Sequence, residues 1–209
     1  MIRILLVDDH AVVREGYRRL LERRADLRVV AEAGSAEDAL QIVREGLPDL
    51  IILDLSLPGM GGIELTRRIL QRHPEAHILI FSMHRDPLFA AQALRAGALG
   101  YVTKSSSPDV LIQAVYKIAR REKVLSPDIA PEMALTLLEG TSNPAEELSP
   151  REFEILRLLL DGRGNEEIGN ILNLSPKTVQ NVHYQIKTKL GVRTDIELAR
   201  LAMKLKLIG

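Results

Sequence analysis

The first 120 residues alternate short apolar runs with amphipathic stretches of helical period, and this alternation restricts the fold more than any other feature of the sequence. Five apolar runs predict strands near 2–7, 28–33, 50–54, 77–82 and 100–103. Helical patterns fall near 11–24, 36–45, 61–71, 87–96 and 107–120. Several runs are almost continuously hydrophobic, as parallel strands buried on both faces are. The pattern predicts an α/β domain with a five-stranded, doubly wound parallel sheet.

The pattern changes after residue 121. Residues 122–147 predict a linker with room for one helix, because three prolines interrupt it: Pro127, Pro131 and Pro144. Residues 148–209 carry only helical periodicity, and four capping residues open four helices there: Ser149, Asn165, Ser175 and Thr194. The predicted organisation is a domain at 1–121, a linker at 122–147 and a second, smaller all-α domain at 148–209.

Composition excludes several classes of protein. No cysteine occurs among the 209 residues, which excludes disulfide scaffolds, thiol catalysis and cysteine metal sites. No apolar run approaches the roughly 20 residues that cross a bilayer, and no signal peptide is recognisable. We therefore expect a cytoplasmic protein with no membrane partner. Its chemistry must come from carboxylates, hydroxyls, lysines or histidines.

Polar side chains stand at the ends of four of the five predicted strands. They are Asp8 and Asp9 after the first strand, Asp54 at the third, Ser82 at the fourth and Lys104 at the fifth. Ligands of parallel sheets bind beyond the carboxyl ends of the strands, so these side chains are expected to converge. Carboxylates about 5 Å apart repel by about 3 kcal/mol at an effective dielectric near 20, and a cation relieves that cost. Ligands that are all oxygen favour Mg²⁺.

A metal beside a carboxylate, a lysine and a hydroxyl predicts a phosphoryl-transfer site. Asp54 is the candidate nucleophile, since a carboxylate can form an aspartyl phosphate. No GxxxxGK[ST] or GxGxxG string occurs, which argues against a bound nucleotide substrate. Two alternatives remain open at this point. One is a Mg²⁺-dependent phosphotransferase or phosphatase that turns over small phosphoesters, and the other is a DNA-binding protein whose first domain is no longer phosphorylated.

Four strings closely resemble the flavodoxin-like receiver domain of bacterial two-component response regulators: VDDH at 7–10, LDLSLPGMGG at 53–62, FSM at 81–83 and GYVTK at 100–104. The resemblance implies that Asp54 is the phosphoacceptor. It implies a Mg²⁺ site formed by Asp9, Asp54 and the backbone carbonyl of Ser56, with Asp8 contributing through water.

The same resemblance assigns the other polar strand ends. Ser82 and Lys104 would contact the phosphoryl oxygens. Tyr101 fills the position of the switch aromatic, whose ring turns inward when the Ser82 hydroxyl is drawn to the phosphate. The face formed by residues 88–119 is expected to change most on phosphorylation.

The third predicted helix of the second domain has a polar face. Asn181, Tyr184 and Thr188 fall within about 40° of Lys177, and Gln180 lies about 60° from it. Asn and Gln side chains can pair with adenine, and Lys can contact guanine or phosphate. From Lys177 onward the chain holds 7 basic and 2 acidic residues, so positive charge gathers where a polyanion could bind.

The stretch LSPREFEILRLLLDGRGNEEIGNILNLSPKTVQ, followed by IKTKLGVRT, forms a predicted helix-turn-helix. It closely resembles the LuxR-type DNA-binding domain of the NarL/FixJ subfamily of response regulators, over residues 148 to about 203. The expected DNA contacts are Lys177, Thr178, Gln180, Asn181, Tyr184, Lys187 and Lys189. In that subfamily the fourth helix commonly forms a dimer contact.

The two resemblances together imply a transcription regulator and not an enzyme. A sensor histidine kinase would phosphorylate Asp54 with Mg²⁺ as cofactor, and the protein would then bind promoter DNA. The expected partners are the kinase, the promoter, a second copy of the phosphorylated chain and RNA polymerase.

Overall fold

The computed structural model describes residues 1–85, 87–131, 133–134, 144–205 and 207. The chain divides into two compact units, Met1–Leu138 and Glu139–Gly209. The division falls inside the stretch that the sequence marks as a linker. Every helix in the described parts of the chain is too short or too polar to cross a bilayer.

The first unit is built on a six-stranded sheet with the order β2-β1-β3-β4-β5-β6, and all neighbouring strands are parallel. The strands are β1 Ile2–Val7, β2 Leu27–Ala33, β3 Leu50–Leu53, β4 Ile78–Ser82, β5 Gly100–Thr103 and β6 Val124–Leu125. The predicted doubly wound parallel sheet is confirmed, but the predicted number of five strands is wrong. The sixth strand has only two residues, too few for a periodic pattern, and it pairs with Gly100 and Tyr101 of β5.

Five helices of the first unit connect the strands: α1 Ala11–Leu21, α2 Ala36–Glu45, α3 Gly62–Arg72, α4 Pro87–Arg95 and α5 Pro108–Ala119. The Ser35 side chain caps α2, accepting a hydrogen bond from the Asp38 N–H at 3.1 Å. Pro108 is the first residue of α5. The N–H groups of the first helical turn have no intrahelical partner, so the N–H that proline lacks costs no hydrogen bond.

Apolar side chains cover both faces of this sheet. Ile4, Leu6 and Ile52 belong to one buried cluster with residues of α5 and with Leu21 of α1. Leu5 and Ile51, whose side chains alternate with these along their strands, are also fully buried. Because helices close both faces, the carboxyl ends of the strands are the edge left for polar side chains.

The second unit is helical, as predicted. A short 3₁₀ turn at Pro144–Glu147 precedes four helices, α6 Pro150–Leu160, α7 Asn165–Leu172, α8 Pro176–Lys189 and α9 Asp195–Lys204. The predicted caps Ser149, Ser175 and Thr194 each accept a hydrogen bond from the backbone three residues on. Asn165 is not a cap but the first residue of α7. Gly164 takes the cap position, and its N–H donates to the Glu167 carboxylate at 3.3 Å.

Gly62 stands where α3 begins directly behind Asp54, and it offers a test of this packing. A Cβ there would lie 2.3 Å from the Asp54 carbonyl oxygen and 2.8 Å from the Leu55 Cα, both backbone atoms that cannot rotate away. We expect Gly62→Ala to lower the free energy of unfolding of the first unit by about 1–3 kcal/mol in urea denaturation of the full chain. Gly16→Ala is the matched control, because open space surrounds Gly16 inside α1 and alanine favours a helix by about 1 kcal/mol. Equal or greater stability of Gly62→Ala would contradict this packing.

Candidate functional site

Three charged side chains meet at the carboxyl ends of β1, β3 and β5. The Lys104 Nζ lies 2.6 Å from Asp8 Oδ2 and 2.5 Å from Asp54 Oδ2. Asp8 is only 3% exposed and Asp54 only 4%, so neither carboxylate is balanced by bulk water. One ammonium therefore contacts two buried carboxylates from strands far apart in sequence, and it offsets one of their two negative charges.

The electrostatics of Lys104 follow from these contacts. Burial alone would lower the pKa of the Lys104 ammonium, but the hydrogen bonds and charges of Asp54 and Asp8 outweigh burial and raise the pKa above its usual value. The stability that this ion pairing contributes is fully present below the ordinary value of 10.5. It is lost as the pH rises through the raised pKa, so the ion pairs are intact at neutral pH.

A group of possible metal ligands borders this pocket. One ligand atom from each of Asp8, Asp9 and His10 lies within 4.8 Å of the others. The Asp8 carboxylate also accepts a hydrogen bond from the His10 N–H at 2.8 Å, and His10 Nδ1 lies 2.7 Å from Asp9 Oδ1. The carboxylates of Asp8, Asp9 and Asp54 are hard oxygen donors, which is the donor chemistry that Mg²⁺ requires. The residues present thus fit the predicted ion.

The loop after β3 approaches the loop after β4 beside Asp54. The Ser56 N–H donates to Asp54 Oδ1 at 3.2 Å, and the Ser56 hydroxyl lies 3.1 Å from His84 Nε2. The hydroxyl of the buried Ser82 accepts a hydrogen bond from the His84 N–H at 3.3 Å. His84 therefore joins two loops that border the pocket, a place that sequence spacing did not reveal.

Tyr101 is fully buried in β5, and its hydroxyl donates to the His84 carbonyl oxygen at 2.8 Å. The His84 ring stacks on the Phe89 ring with the centroids 4.4 Å apart. Tyr101 thus points inward and is tied to the same loop whose backbone N–H binds Ser82. The two predicted switch residues share His84 as a common neighbour.

The turn between α7 and α8 has the geometry of a helix-turn-helix. Asn173 adopts a left-handed conformation with φ of 52°, and the Leu174 N–H donates to the Gly169 carbonyl at 2.8 Å. A Cβ on Gly169 would lie 2.7 Å from the Leu174 carbonyl oxygen, so only glycine permits this close approach. α8 then begins at Ser175, whose hydroxyl accepts from the Thr178 N–H at 3.0 Å.

One side of α8 faces solvent. The exposed residues there are Lys177, Thr178, Gln180, Asn181 and Tyr184, and Tyr184 is 71% exposed. Val179 and Ile186 lie on the opposite side and are fully buried. The face that the helical period marks as polar is therefore accessible to a partner of the second unit.

Two lysines at the end of α8 are held by carboxylates. The Lys187 Nζ lies 2.9 Å from Asp195 Oδ1 of α9, and the Lys189 Nζ lies 2.7 Å from Glu152 Oε2 of α6. Lys187 lowers the pKa of Asp195. Burial would raise the pKa of Glu152, but hydrogen bonds from Lys189 and Ser149 lower it below its ordinary value. These lysines fix α8 against its two neighbouring helices.

Comparison with known families agrees with both units. The response regulator receiver domain matches residues 4–116, and the luxR family of bacterial regulatory proteins matches residues 146–202. This chain belongs to the response regulators. It combines a receiver domain with a LuxR-type DNA-binding helix-turn-helix, the arrangement of the NarL/FixJ subfamily.

Individual relatives of this response regulator match nearly its whole length. Response regulator UvrY of Escherichia coli K12 is 38% identical over 206 residues, which cover 98% of this chain and 94% of that protein. Response regulator GacA of Pseudomonas aeruginosa is 35% identical over 206 residues, covering 98% and 96%.

Solved structures of response regulators resemble it as well. A LuxR-family response regulator from an Aurantimonas species is 54% identical with a TM-score of 0.65, covering 66% of this chain and 99% of that one. RcsB from Salmonella enterica serovar Typhimurium, bound to the P1flhDC promoter in the presence of the phosphomimetic BeF₃⁻, is 28% identical with a TM-score of 0.70, covering 96% and 97%.

Lys104 of this response regulator offers a direct test of the pocket. Lys104→Met leaves Asp8 and Asp54 buried without a counter-charge, so we expect the free energy of unfolding to fall by about 3–5 kcal/mol in urea denaturation at pH 7 without divalent ions. Adding Asp54→Asn removes one of the two charges and should recover part of the loss. Lys117→Met, which removes an exposed lysine of α5, should change stability by less than about 0.5 kcal/mol. A Lys104→Met chain as stable as the wild type would show that the carboxylates do not need the ammonium.

Proposed function

We propose that a sensor histidine kinase phosphorylates Asp54 in a Mg²⁺-dependent reaction, and that this modification controls the binding of promoter DNA. The observation that carries the proposal is the buried pocket, in which Lys104 contacts both Asp8 and Asp54. A carboxylate held this way is a nucleophile with an acceptor for the incoming charge beside it.

The chemistry follows from the positions of the side chains. A carboxylate oxygen of Asp54 attacks the phosphorus atom, the bond from phosphorus to the donor breaks, and an aspartyl phosphate results. Lys104 and the Ser82 hydroxyl would then contact the phosphoryl oxygens. Asp8, Asp9, Asp54 and the Ser56 carbonyl would hold Mg²⁺, which when bound offsets negative charge on the phosphoryl group.

The proposed switch acts through the residues around Ser82 and Tyr101. The phosphoryl group adds about −1.5 to −2 charges and strong acceptor oxygens, so it draws Ser82 and Lys104 toward itself. Tyr101 and the face at 88–119 respond to that movement. In this proposal the receiver is the first unit, which the sequence predicts at residues 1–121 and which the structure extends by β6. The remainder of the predicted linker at 122–147 leads to the DNA-binding domain at 148–209.

For the second unit we propose that α8 enters the major groove. Asn181 and Gln180 would read base edges, while Lys177, Thr178 and Tyr184 would contact bases or the backbone. Lys187 and Lys189 would add positive charge toward the phosphates while holding α8 in place. Two copies of the phosphorylated chain would place two α8 helices about one DNA turn apart.

The proposal also concerns the surroundings of the protein. A bacterial promoter lies in the cytoplasm, so the protein would act there, with RNA polymerase as a further partner at the promoter. Asp54 would be modified once per switching event, and not act as the nucleophile of a turnover enzyme.

Acetyl phosphate with Mg²⁺ tests the receiver half of the proposal. We expect the full chain to gain about one phosphoryl group per molecule, detected by intact mass, because the proposal has Asp54 as the phosphoacceptor. Asp54→Asn should abolish labelling, whereas Glu37→Gln, which neutralises an exposed acid of α2, should label like the wild type. Continuous release of phosphate far beyond one equivalent would favour an enzyme. No labelling at all would favour a DNA-binding protein that phosphorylation does not control.

The proposed DNA contacts of α8 can be tested by binding to DNA duplexes that the wild-type chain has selected from a random pool. We expect Asn181→Ala to weaken binding about 5- to 100-fold through a lost base contact, and Lys177→Ala to reduce the slope of log affinity against log salt by about 1 through a lost phosphate contact. Lys204→Ala removes an exposed lysine of α9 and serves as the charge-matched control. Circular dichroism of each variant checks the fold. Wild-type affinity in both α8 variants would disprove the assignment of α8 as the recognition helix.

A further inference from the structure

β6 and the turn that follows it are fastened to the end of β5. The Ser126 N–H donates to the Tyr101 carbonyl at 2.9 Å, and the Thr103 hydroxyl donates to Asp128 Oδ2 at 2.6 Å. The side chain of Ile129 is fully buried. The chain therefore stays bound to the sheet of the first unit well beyond residue 121, where the sequence pattern places the end of the domain.

The hydroxyl of Thr103 is held in one orientation by its hydrogen-bond partners. Asp128 is exposed as a whole residue, and the partial burial of its carboxyl would raise its pKa, but the hydrogen bond from the Thr103 hydroxyl helps to lower that pKa below its ordinary value. The ionised carboxylate only accepts hydrogen bonds, so Thr103 must donate to it. Thr103 Oγ1 also accepts from the Ser105 hydroxyl at 3.1 Å and lies 3.0 Å from Ser106 Oγ. All hydrogen-bonding positions of this buried hydroxyl are thus in use.

The same short segment of β5 reaches the phosphoacceptor pocket. Lys104 follows Thr103 directly, its ammonium contacts Asp54, and its N–H donates to the Ser82 carbonyl at 2.7 Å. A single peptide unit separates the residue that senses Asp54 from the residue that binds Asp128.

We propose that the Thr103–Asp128 hydrogen bond transmits the state of the Asp54 pocket to the stretch of chain that leads to the DNA-binding unit, with Asp128 as a positioning residue. This inference rests on the proposed function and names a route by which phosphorylation acts. Asp128 has no contact with the reacting atoms among those that the structure describes, and it acts through Thr103 and Lys104.

The direction of the change follows from the contacts of Lys104. In the unphosphorylated protein the Lys104 ammonium pairs with the Asp54 carboxylate. When a phosphoryl group is attached, that carboxylate loses its charge, and the ammonium moves to the phosphoryl oxygens. The peptide of Thr103 and Lys104 moves with it, and the fully committed Thr103 hydroxyl cannot rotate to keep Asp128. The turn behind Asp128 is then loosened. It is held by two backbone bonds, from the N–H groups of Ile129 and Ala130 to the Ser126 carbonyl, both 3.1 Å long.

Hydrogen exchange of the full chain measures this turn directly. We expect acetyl phosphate with Mg²⁺ to speed exchange of the Ile129 and Ala130 amides at least about fivefold in the wild type, the lower end of typical coupling between sites. In Asp128→Ala the turn is already released, so exchange should be fast with and without acetyl phosphate. Asp128→Asn keeps an acceptor oxygen and should restore part of the wild-type response.

The control is Glu122→Ala, which removes an exposed acid just before β6 and should respond like the wild type. Thr103→Val removes the donor of the same hydrogen bond. It replaces Asp128→Ala in the experiment if that variant does not fold. If both residues act through their shared hydrogen bond, each single variant already removes the effect of acetyl phosphate on exchange. The double variant Thr103→Val/Asp128→Ala should then show the same exchange as either single variant, with no further change. The ratio of affinities for the selected duplexes with and without acetyl phosphate should fall toward one in the same variants.

Labelling of Asp54, followed by intact mass in every sample, separates the two proposals. A wild-type chain that is not labelled overturns the proposed function and the inference with it. If the wild type is labelled and its turn responds, an equal response in labelled Asp128→Ala overturns the inference alone. A labelled wild type whose Ile129 and Ala130 amides do not respond also overturns the inference and leaves phosphorylation of Asp54 standing.

Discussion

The ammonium of Lys104 between two buried carboxylates is the interaction on which the first unit depends. Asp8 and Asp54 come from neighbouring strands of the sheet, and closing the sheet brings their charges together out of water. Coulomb repulsion would oppose this packing, and Lys104 from the far side of β4 reverses its sign. The fold and the pocket therefore share one electrostatic balance. A modification that changes the charge of Asp54 must change the position of Lys104 as well, which makes the pocket suited to a switch.

Most of this pocket could be predicted from the sequence because its members are fixed by local patterns. Apolar runs mark the strands, four of the five predicted runs end at a polar residue, and parallel order brings strand ends to one edge. The contacts of His84 and Asp128 could not be predicted in this way. Ser56 and His84 are 28 residues apart and Thr103 and Asp128 are 25 apart, and no periodicity relates such pairs. The two-residue strand β6, which brings Asp128 to β5, has no pattern of its own. What escapes the sequence is the pairing of side chains across loops.

In the second unit, too, the sequence predicts which side chains are exposed but not which charged side chains pair with one another. Helical period separates the exposed Lys177 and Asn181 from the buried Val179 and Ile186, because that division depends only on angle. A count of charges treats Lys187 and Lys189 as equal to Lys177, yet their ammoniums contact carboxylates of α9 and α6. These two cations also stand in the last turn of α8, where positive charge offsets the helix dipole. The end of α8 thus holds the helix against its neighbours, and its beginning and middle face outward, where the proposed recognition of DNA would take place.

A switch of this kind needs a segment whose loosening costs far less than unfolding the domain. Residues 126–131 meet that condition, because only Ser126 and Ile129 among them are buried, whereas β5, to which they are bonded, is buried throughout. Coupling between two sites typically amounts to about 1–3 kcal/mol, whereas a whole domain unfolds at about 5–15 kcal/mol. The change of charge at Asp54 acts on Lys104 at hydrogen-bonding distance, where the interaction is strongest. In the proposed switch the sheet would therefore remain intact while the turn after β6 responds, and the rigid core would confine the response to the stretch of chain after β6.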